Sequence, residues 1–379
     1  MSIPTISRGS MLQEQVPEYF KFVCPPSSGG RNPDPQPPTV FLRRDLLSDF
    51  DLRLRDGGRV RMWIIEDPDD KVNGRTFPSA PIRVPLNALV NADVNCKGGT
   101  HTIHWHGIEP TPMNDGVGHT SFEVDGHFIY QFQPRHAGTY FYHCHKNTVL
   151  HFEMGLYGLL LVDPPKPDGS TVEGPPYPIG KPGFVAAFSP LTDHVVPYDV
   201  EAFWVPDSID SRWHTLNHDA FMQKCDADDP INPSFFSRNG IFNDFRPDIF
   251  LLSGLPRRKS DGTPFGAADS PLVAPKLRVG QTLLARTTNA DYLIQRFKIG
   301  LDAQVIAMDG HALGVPPFEK YSHPIDLPAG TPFTLTSAMR WDLIMRPTKT
   351  GVFPVTIEFL NQITGQLLYT ARTSVTVTL

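Results

Sequence analysis

The sequence predicts an all-β protein built as two β-sandwiches in tandem. Three observations carry this expectation. The 379 residues include 39 Pro and 30 Gly, which interrupt helices because Pro removes a backbone donor and Gly gives up the most backbone entropy. Apolar and polar residues alternate with a period of two over many short runs separated by turn residues. The chain is also long enough for two cores of ordinary size, and a Pro/Gly-rich stretch divides it near the middle.

Taken in order, residues 1–40 are a Pro- and Gly-rich lead ending in CPPSSGGRNPDPQPP, expected as an extended arm. Residues 41–165 form the first domain. Within it FDLRLRDGGRVRMWIIED alternates around Asp56-Gly57-Gly58, a hairpin signal. APIRVPLNALVNADVN, HFIYQFQ, GTYFYHC and GLYGLLLVD read as further strands. The last is apolar almost throughout, as a strand buried on both faces is. Residues 166–183 are a linker by composition. The second domain, 184–379, has its clearest strands in KLRVGQTLLARTTN, RFKIGL, AQVIAMDG, RWDLIMRP, VFPVTIEFL and ARTSVTVTL. Residues 201–245 are less regular and read as an insertion with a little helix.

Composition narrows the function classes. Hydrophobic residues at 40% and charged residues at 20% are those of a globular protein, and the net charge of -6 comes without a basic cluster. Nucleic acid and anionic membranes are therefore not expected partners. No run approaches the ~18 apolar residues of a membrane span. MSIPTISRGSMLQEQ lacks the apolar core of a secretory signal, so the expectation is a cytoplasmic protein or one whose signal has been removed. A Gly-rich nucleotide loop and a Gly-x-Ser-x-Gly elbow are both missing from the sequence, which leaves a hydrolase reading without support.

Chemistry concentrates in one window. Nine of the fourteen histidines fall between His101 and His151. HTIHWHG holds His101, His104 and His106; YHCHKNTVLHFEMG holds His143, Cys144, His145, His151 and Met154. On a strand, successive side chains point to opposite faces, so His104 and His106 share a face, as do His143 and His145. Cys144 then points away from its neighbours, and one strand end serves two metal sites. Two imidazoles and a thiolate with a weak axial group form a blue copper ligand set, which His101, Cys144 and His151 supply. The paired imidazoles suit copper ions that bind oxygen. With Cys144 a ligand, Cys24, Cys96 and Cys225 leave room for one disulfide at most.

At these residues the chain resembles the multicopper oxidases, the group that contains laccases. HTIHWHG is similar to the family's His-x-x-His-x-His-Gly motif, and AGTYFYHCH followed by His151 and Gly155 to its His-Cys-His motif. The resemblance covers residues 50–165 and implies two tandem cupredoxin-like Greek-key β-sandwich domains. It implies type 1 copper at His101, Cys144 and His151, type 2 copper at His104, and type 3 copper at His106, His143 and His145. Cys144 and its flanking histidines would carry electrons between the sites. The family's axial residue aligns with Leu156, which cannot coordinate, and Met154 is the nearest thioether. Asp115, in MNDGVG, matches an acidic proton relay of the family and also fits a turn-forming Asp before Gly. FLLSG, AMDG and RWDLIM in the second domain are similar to strings of the family's copper-free domain.

The pattern breaks in one respect. The family's oxygen-reducing cluster uses eight histidines from two domains, and this chain supplies four. The second domain has His194, His214, His218, His311 and His323, without a His-x-His pair. His214 and His218 read as a surface pair on one helix face, and His119, His127 and His136 as structural. The expectation is a homo-oligomer in which two first domains meet about a two-fold axis and pool their imidazoles; a separate partner chain is the rival. The expected reactants are oxygen and a phenol, aromatic amine or metal-ion reductant. Two other readings remain: a type 1 copper electron-transfer or copper-binding protein with an incomplete cluster, and a copper nitrite reductase-like enzyme. The second is disfavoured because that family does not place a histidine directly after the cysteine, as His145 is here.

Overall fold

In the computed structural model, which describes residues 30–31, 37–118, 122–168, 178–218, 245–316 and 323–379, the period-two alternation becomes paired strands. The first region contains β1 (Gly30–Arg31), β2 (Val40–Arg53), β3 (Arg59–Glu66), β4 (Ser79–Pro85), β5 (Val90–His101) and β6 (His104–His106). After them come the short helix α1 (Pro112–Asp115), β7 (Val124–Phe132), β8 (Gly138–His143), the helix α2 (Thr148–Glu153) and β9 (Tyr157–Asp163). One sheet runs β1-β7-β5-β2-β3 and the other β4-β9-β8-β6. In β5, Val90, Ala92, Val94 and Cys96 turn inward while their neighbours stay partly exposed. They meet Ile82, Tyr142 and Leu160 of the facing sheet in one apolar core, the arrangement of a sandwich.

The expected hairpin is present, with Arg53 opposite Arg59 and Leu52 opposite Val60. APIRVPLNALVNADVN is two strands rather than one. The chain turns at Asn87, whose φ is 65°, and β4 and β5 enter different sheets. Asn tolerates this left-handed conformation better than most residues, and a turn there lets one apolar run serve both layers. KLRVGQTLLARTTN is likewise split, between strands Lys276–Arg278 and Leu283–Thr288 of separate sheets.

The second region has its own core. One sheet orders strands Val200–Trp204, Leu283–Thr288, Arg340–Met345, Ala303–Met308 and His311–Ala312; the other orders Lys276–Arg278, Leu367–Thr378, Gly351–Leu360, Ile294–Ile299 and Pro332–Leu335. Phe297, Val305, Leu343, Val355 and Ile357 are buried between them. The reading of 201–245 as an irregular insertion is corrected at its start. Val200–Trp204 pairs in parallel with Leu283–Thr287, and Pro206–Ile209 pairs with Ile249–Leu252. Residues 219–244 lie outside the described residues, as do most of the N-terminal lead, residues 169–177 of the linker, Cys24 and Cys225. Cys96 and Cys144 are buried and in no disulfide.

A third apolar cluster joins the regions, placing Met62, Ile64, Phe77, Tyr157 and Leu161 against Phe203, Val205, Ile209 and Leu251. Beside it runs a buried ionic network. Arg83 binds Asp163 through Nε (2.8 Å) and Glu201 through Nη1 (3.0 Å), and Glu201 also accepts from Arg286 at 2.7 Å. Thr139 of β8 donates to Asp342 at 2.6 Å. Because removing one member leaves an uncompensated charge in a low-dielectric interior, such a network fixes how the two regions sit together. No helix among the described residues is long and apolar enough to cross a membrane.

Candidate metal centre

Strand register assembles the first histidine group. β6 pairs antiparallel with β8, putting His104 opposite His143 and His106 opposite Phe141. Alternation along both strands then directs His104, His106, His143 and His145 to one side. The His104 ring lies 5.4 Å from His106, 5.4 Å from His143 and 5.3 Å from His145. One nitrogen each of His104, His106 and His143 lies within 4.8 Å of the others. His143 is buried and the other three are half-buried, so the group is open on one side.

The second group forms where β8 ends. Cys144 points away from its neighbours into the core, and its Sγ lies 3.4 Å from His101 Nδ1 and 3.3 Å from His151 Nδ1. His151 reaches it because Asn147, at φ 43°, reverses the chain into α2, whose first turn bonds back to the Asn147 carbonyl. Met154 and Leu156 are both buried at this end of the core. Leu156 also lines a cavity beside His101, together with Trp63.

Backbone carbonyls set the imidazole tautomers. His104 donates from Nδ1 to the Asp115 carbonyl at 2.8 Å, and His143 donates from Nδ1 to the Cys144 carbonyl at 3.0 Å. Each ring then carries its lone pair on Nε2. His151 donates from Nε2 to the His218 carbonyl at 3.1 Å, so its lone pair sits on Nδ1, facing Cys144. Such outer contacts orient metal-binding imidazoles. Burial, reinforced by neighbouring imidazoles, holds His101 well below the usual histidine pKa. Burial does the same to His143 and, helped by Arg340, pushes His106 down to about 3. All three are thus neutral near pH 7, the form that binds metal. Burial also pushes the Cys144 thiol up to about 12, so a metal must displace its proton. Soft sulfur with oriented neutral imidazoles fits copper.

Asp115 ends α1 beside His104, its Oδ1 3.4 Å from His104 Nδ1. Gly116 follows with φ 71°, the turn expected of an Asp-Gly pair. The turn expectation for Asp115 is met. His127 pairs with Asp93, and the His136 ring lies tilted against His311 at 4.9 Å; His119 lies outside the described residues.

The surface-pair reading of His214 and His218 is corrected. Trp213–Thr215 is a single 3-10 turn, not an α-helix, so the two rings diverge. His214 is buried, its Nδ1 2.6 Å from the Arg61 carbonyl and its Nε2 3.5 Å from Glu153 Oε1. His218 packs on the Cys144 site, 4.8 Å from the His101 ring and 4.7 Å from the His151 ring. Nothing in the local sequence distinguishes this placement, because it depends on how the two regions dock. Trp63, stacked on His218 and edge-on to His151, was missed for the same reason.

Residues 70–167, which contain every one of these first-region candidate ligands, match the family model described as multicopper oxidase. The first region carries a multicopper oxidase domain. An L-ascorbate oxidase of Cucumis sativus is 33% identical over 153 residues, covering 35% of this chain and 26% of that protein. A copper resistance protein A homologue of Pseudomonas syringae pv. tomato is 40% identical over 77 residues, 20% of this chain and 13% of that protein. The chain thus spans about a quarter or less of these relatives' lengths. Among solved structures, a blue copper oxidase from Nitrosomonas europaea superposes with TM-score 0.57 at 19% identity, covering 89% of this chain and 86% of that one. A copper nitrite reductase from the same organism superposes at 0.53 with 13% identity over 89% and 94%. At these identities the superpositions speak for the cupredoxin fold alone. Copper is the cofactor that this domain implies.

Proposed function

We propose that this chain is a laccase-like oxidase that takes single electrons from a small reductant at the Cys144 site and reduces oxygen at a cluster built on His104, His106, His143 and His145. One observation carries the reading: Cys144 Sγ faces His101 and His151, while the adjoining His143 and His145 lie with His104 on the other side. Copper bound at these groups supplies one-electron redox chemistry and oxygen reduction. The protein's part is positioning. A single residue's backbone joins the two sites covalently. His101 lines a cavity of about 230 Å³, below the ~300–1,000 Å³ of ordinary ligand pockets, so it suits one aromatic ring or a metal ion. Asp115, half-buried beside His104, stands where a proton passes between solvent and the imidazole face.

The four imidazoles are half of the family's set. The second region's histidines lie elsewhere: His214 on Glu153, His218 on the Cys144 site, His311 beside His136, and His194 and His323 around Phe188. A second copy meeting this one about a two-fold axis completes the site with four more imidazoles. The half set also favours a second reading, an electron-transfer protein with copper at Cys144 alone. Copper loading of the full chain, with copper per chain, absorption, EPR, oxygen uptake and solution mass, separates the two. The oxidase predicts copper beyond one per chain, a dimer or larger, and oxygen consumption with a phenol, aromatic amine or reduced metal ion. A monomer with one copper, a thiolate band and no oxygen uptake leaves the electron-transfer protein.

A further inference from the structure

We propose that Arg340, carried by the second region, is the fixed positive charge beside the four-imidazole group and strengthens the binding of anions to copper held there. The inference rests on the reading that His104, His106, His143 and His145 hold copper. It gives the second region, whose histidines lie elsewhere, a part in that site.

Arg340 opens the strand Arg340–Met345 and reaches across to β8. Its Nε donates to the Thr139 carbonyl at 3.4 Å, and its guanidinium carbon lies 5.9 Å from the Tyr140 ring centre and 5.7 Å from that of Phe141. The His106 ring stacks on the same Phe141 at 4.3 Å. Arg340 Nη2 is turned toward Gly107, the residue after His106. A Cβ on Gly107 would lie 2.6 Å from Nη2 and 2.9 Å from Tyr140 Cδ1, closer than real contacts allow. Gly107 also has φ 88°, so the backbone and the incoming guanidinium both call for glycine here. The glycine that closes HTIHWHG and the arginine that opens RWDLIM thus meet across the boundary between the regions.

The charge at this point is poorly offset. Arg340 is 4% exposed, and an arginine keeps its proton even when buried. Its Nη1 donates to the Ala338 carbonyl at 2.8 Å and lies 3.3 Å from Asp309 Oδ1. Asp309 is 48% exposed, so water screens its side of the pair. Asp342, the other carboxylate that acts on Arg340, is committed to Arg286 and Thr139. The charge is felt at His106, where Arg340 is the largest influence after burial in lowering the pKa. A positive field at the imidazole face favours an anion bound beside it.

Azide, which binds copper and absorbs by charge transfer to it, is the probe, titrated into the copper-loaded full chain. Arg340→Gln is expected to weaken azide binding about 5- to 10-fold, the effect of one unit charge several ångströms away in a partly buried setting. Arg340→Lys keeps the charge and is expected to stay within about 3-fold of the wild type. Asp309→Asn removes the screened counter-charge and is expected to tighten azide binding about 2-fold. That variant keeps an oxygen for the Arg340 backbone N–H, which Asp309 Oδ1 accepts at 2.9 Å, and asparagine suits the φ of 49° at this position. The thiolate-to-copper band at Cys144 reports that each variant is folded and loaded. A merely structural arginine would alter unfolding and leave azide affinity alone. Equal azide affinity in the wild type and Arg340→Gln, at equal copper load, would overturn the assignment while leaving the four-imidazole group intact. Should Arg340→Gln not fold, azide held no more tightly by Asp309→Asn than by the wild type decides against it. Copper confined to Cys144 in the wild type, at one per chain, removes the oxidase reading and this inference together.

Discussion

At the scale of single residues, the centre depends on contacts that side-chain chemistry alone does not announce. Gly116 follows Asp115 at φ 71°, and a Cβ there would lie 1.8 Å from the Ile103 carbonyl oxygen and 3.0 Å from the His104 backbone nitrogen. Gly116→Ala therefore forces the α1 turn away from β6. The expected cost is about 2–4 kcal/mol, from left-handed strain plus a steric clash. Denaturant unfolding checks the cost, and copper uptake by the four-imidazole group is expected to fall with it. Asn114 shows how tightly this turn is held: it is buried, accepts from Gln131 N at 2.7 Å and donates to Thr111 at 2.9 Å. The histidines and Cys144 were legible in the sequence because alternation on a strand fixes which side each takes. The rings' tautomers were not, because carbonyls at Asp115, Cys144 and His218 set them, and carbonyls leave no mark in a sequence.

At the scale of elements, α2 is the hinge of the arrangement. One helix of six residues presents His151 to Cys144, Phe152 to the Tyr157 ring at 4.8 Å, and Glu153 to the second region. Glu153 is buried, accepts the Asp210 N–H at 2.8 Å and faces His214 Nε2 at 3.5 Å. Glu153→Ala leaves that N–H buried and unsatisfied, at about 1–3 kcal/mol. Amide hydrogen exchange is the measurement: protection of residues 210–218 is expected to drop, while β5, β7 and β8 keep theirs. Equal loss across the chain would mean that the helix supports the whole core rather than this docking. Element existence was readable from alternation. Where one apolar run changes sheets, as at Asn87, was not, since both halves are equally apolar and only the packing of two layers separates them.

At the scale of the whole molecule, the boundary between the two regions stores acid. Burial pushes Asp291 up to about 7 and Asp207 well above the usual carboxylate range. Asp291 accepts from Ser208 at 2.8 Å and from Gln295 at 2.7 Å, and Tyr157 donates to Asp207 at 2.6 Å. Between pH 3.8 and about 7 the folded protein keeps a proton on Asp291 that the unfolded chain releases. Stability from this residue therefore declines as pH rises through that window, and the penalty is complete above it. Melting temperatures measured from pH 4.5 to 8 are expected to fall toward the alkaline end, and Asp291→Asn to flatten the profile. An unchanged slope in Asp291→Asn would assign the pH dependence to other groups. The variant is tolerable because Gln295 can turn its Oε1, which has no hydrogen-bond partner, toward the new amide.

The sequence by itself determined the fold class and how the first-region histidines and Cys144 divide between two faces. Both follow from local rules: a period of two builds strands, and His-x-His and His-Cys-His on strands sort their side chains by face. Only the tertiary structure decided that His218 packs against the His101 and His151 rings, that His214 is buried against Glu153, and that Val200–Trp204 and Pro206–Ile209 are strands rather than an insertion. The two histidines are placed by the docking of two regions through buried apolar and ionic contacts, such as Arg83 with Glu201, and the strands by pairing with Leu283–Thr287 and Ile249–Leu252. No window of sequence contains both partners, so no local pattern could have named them.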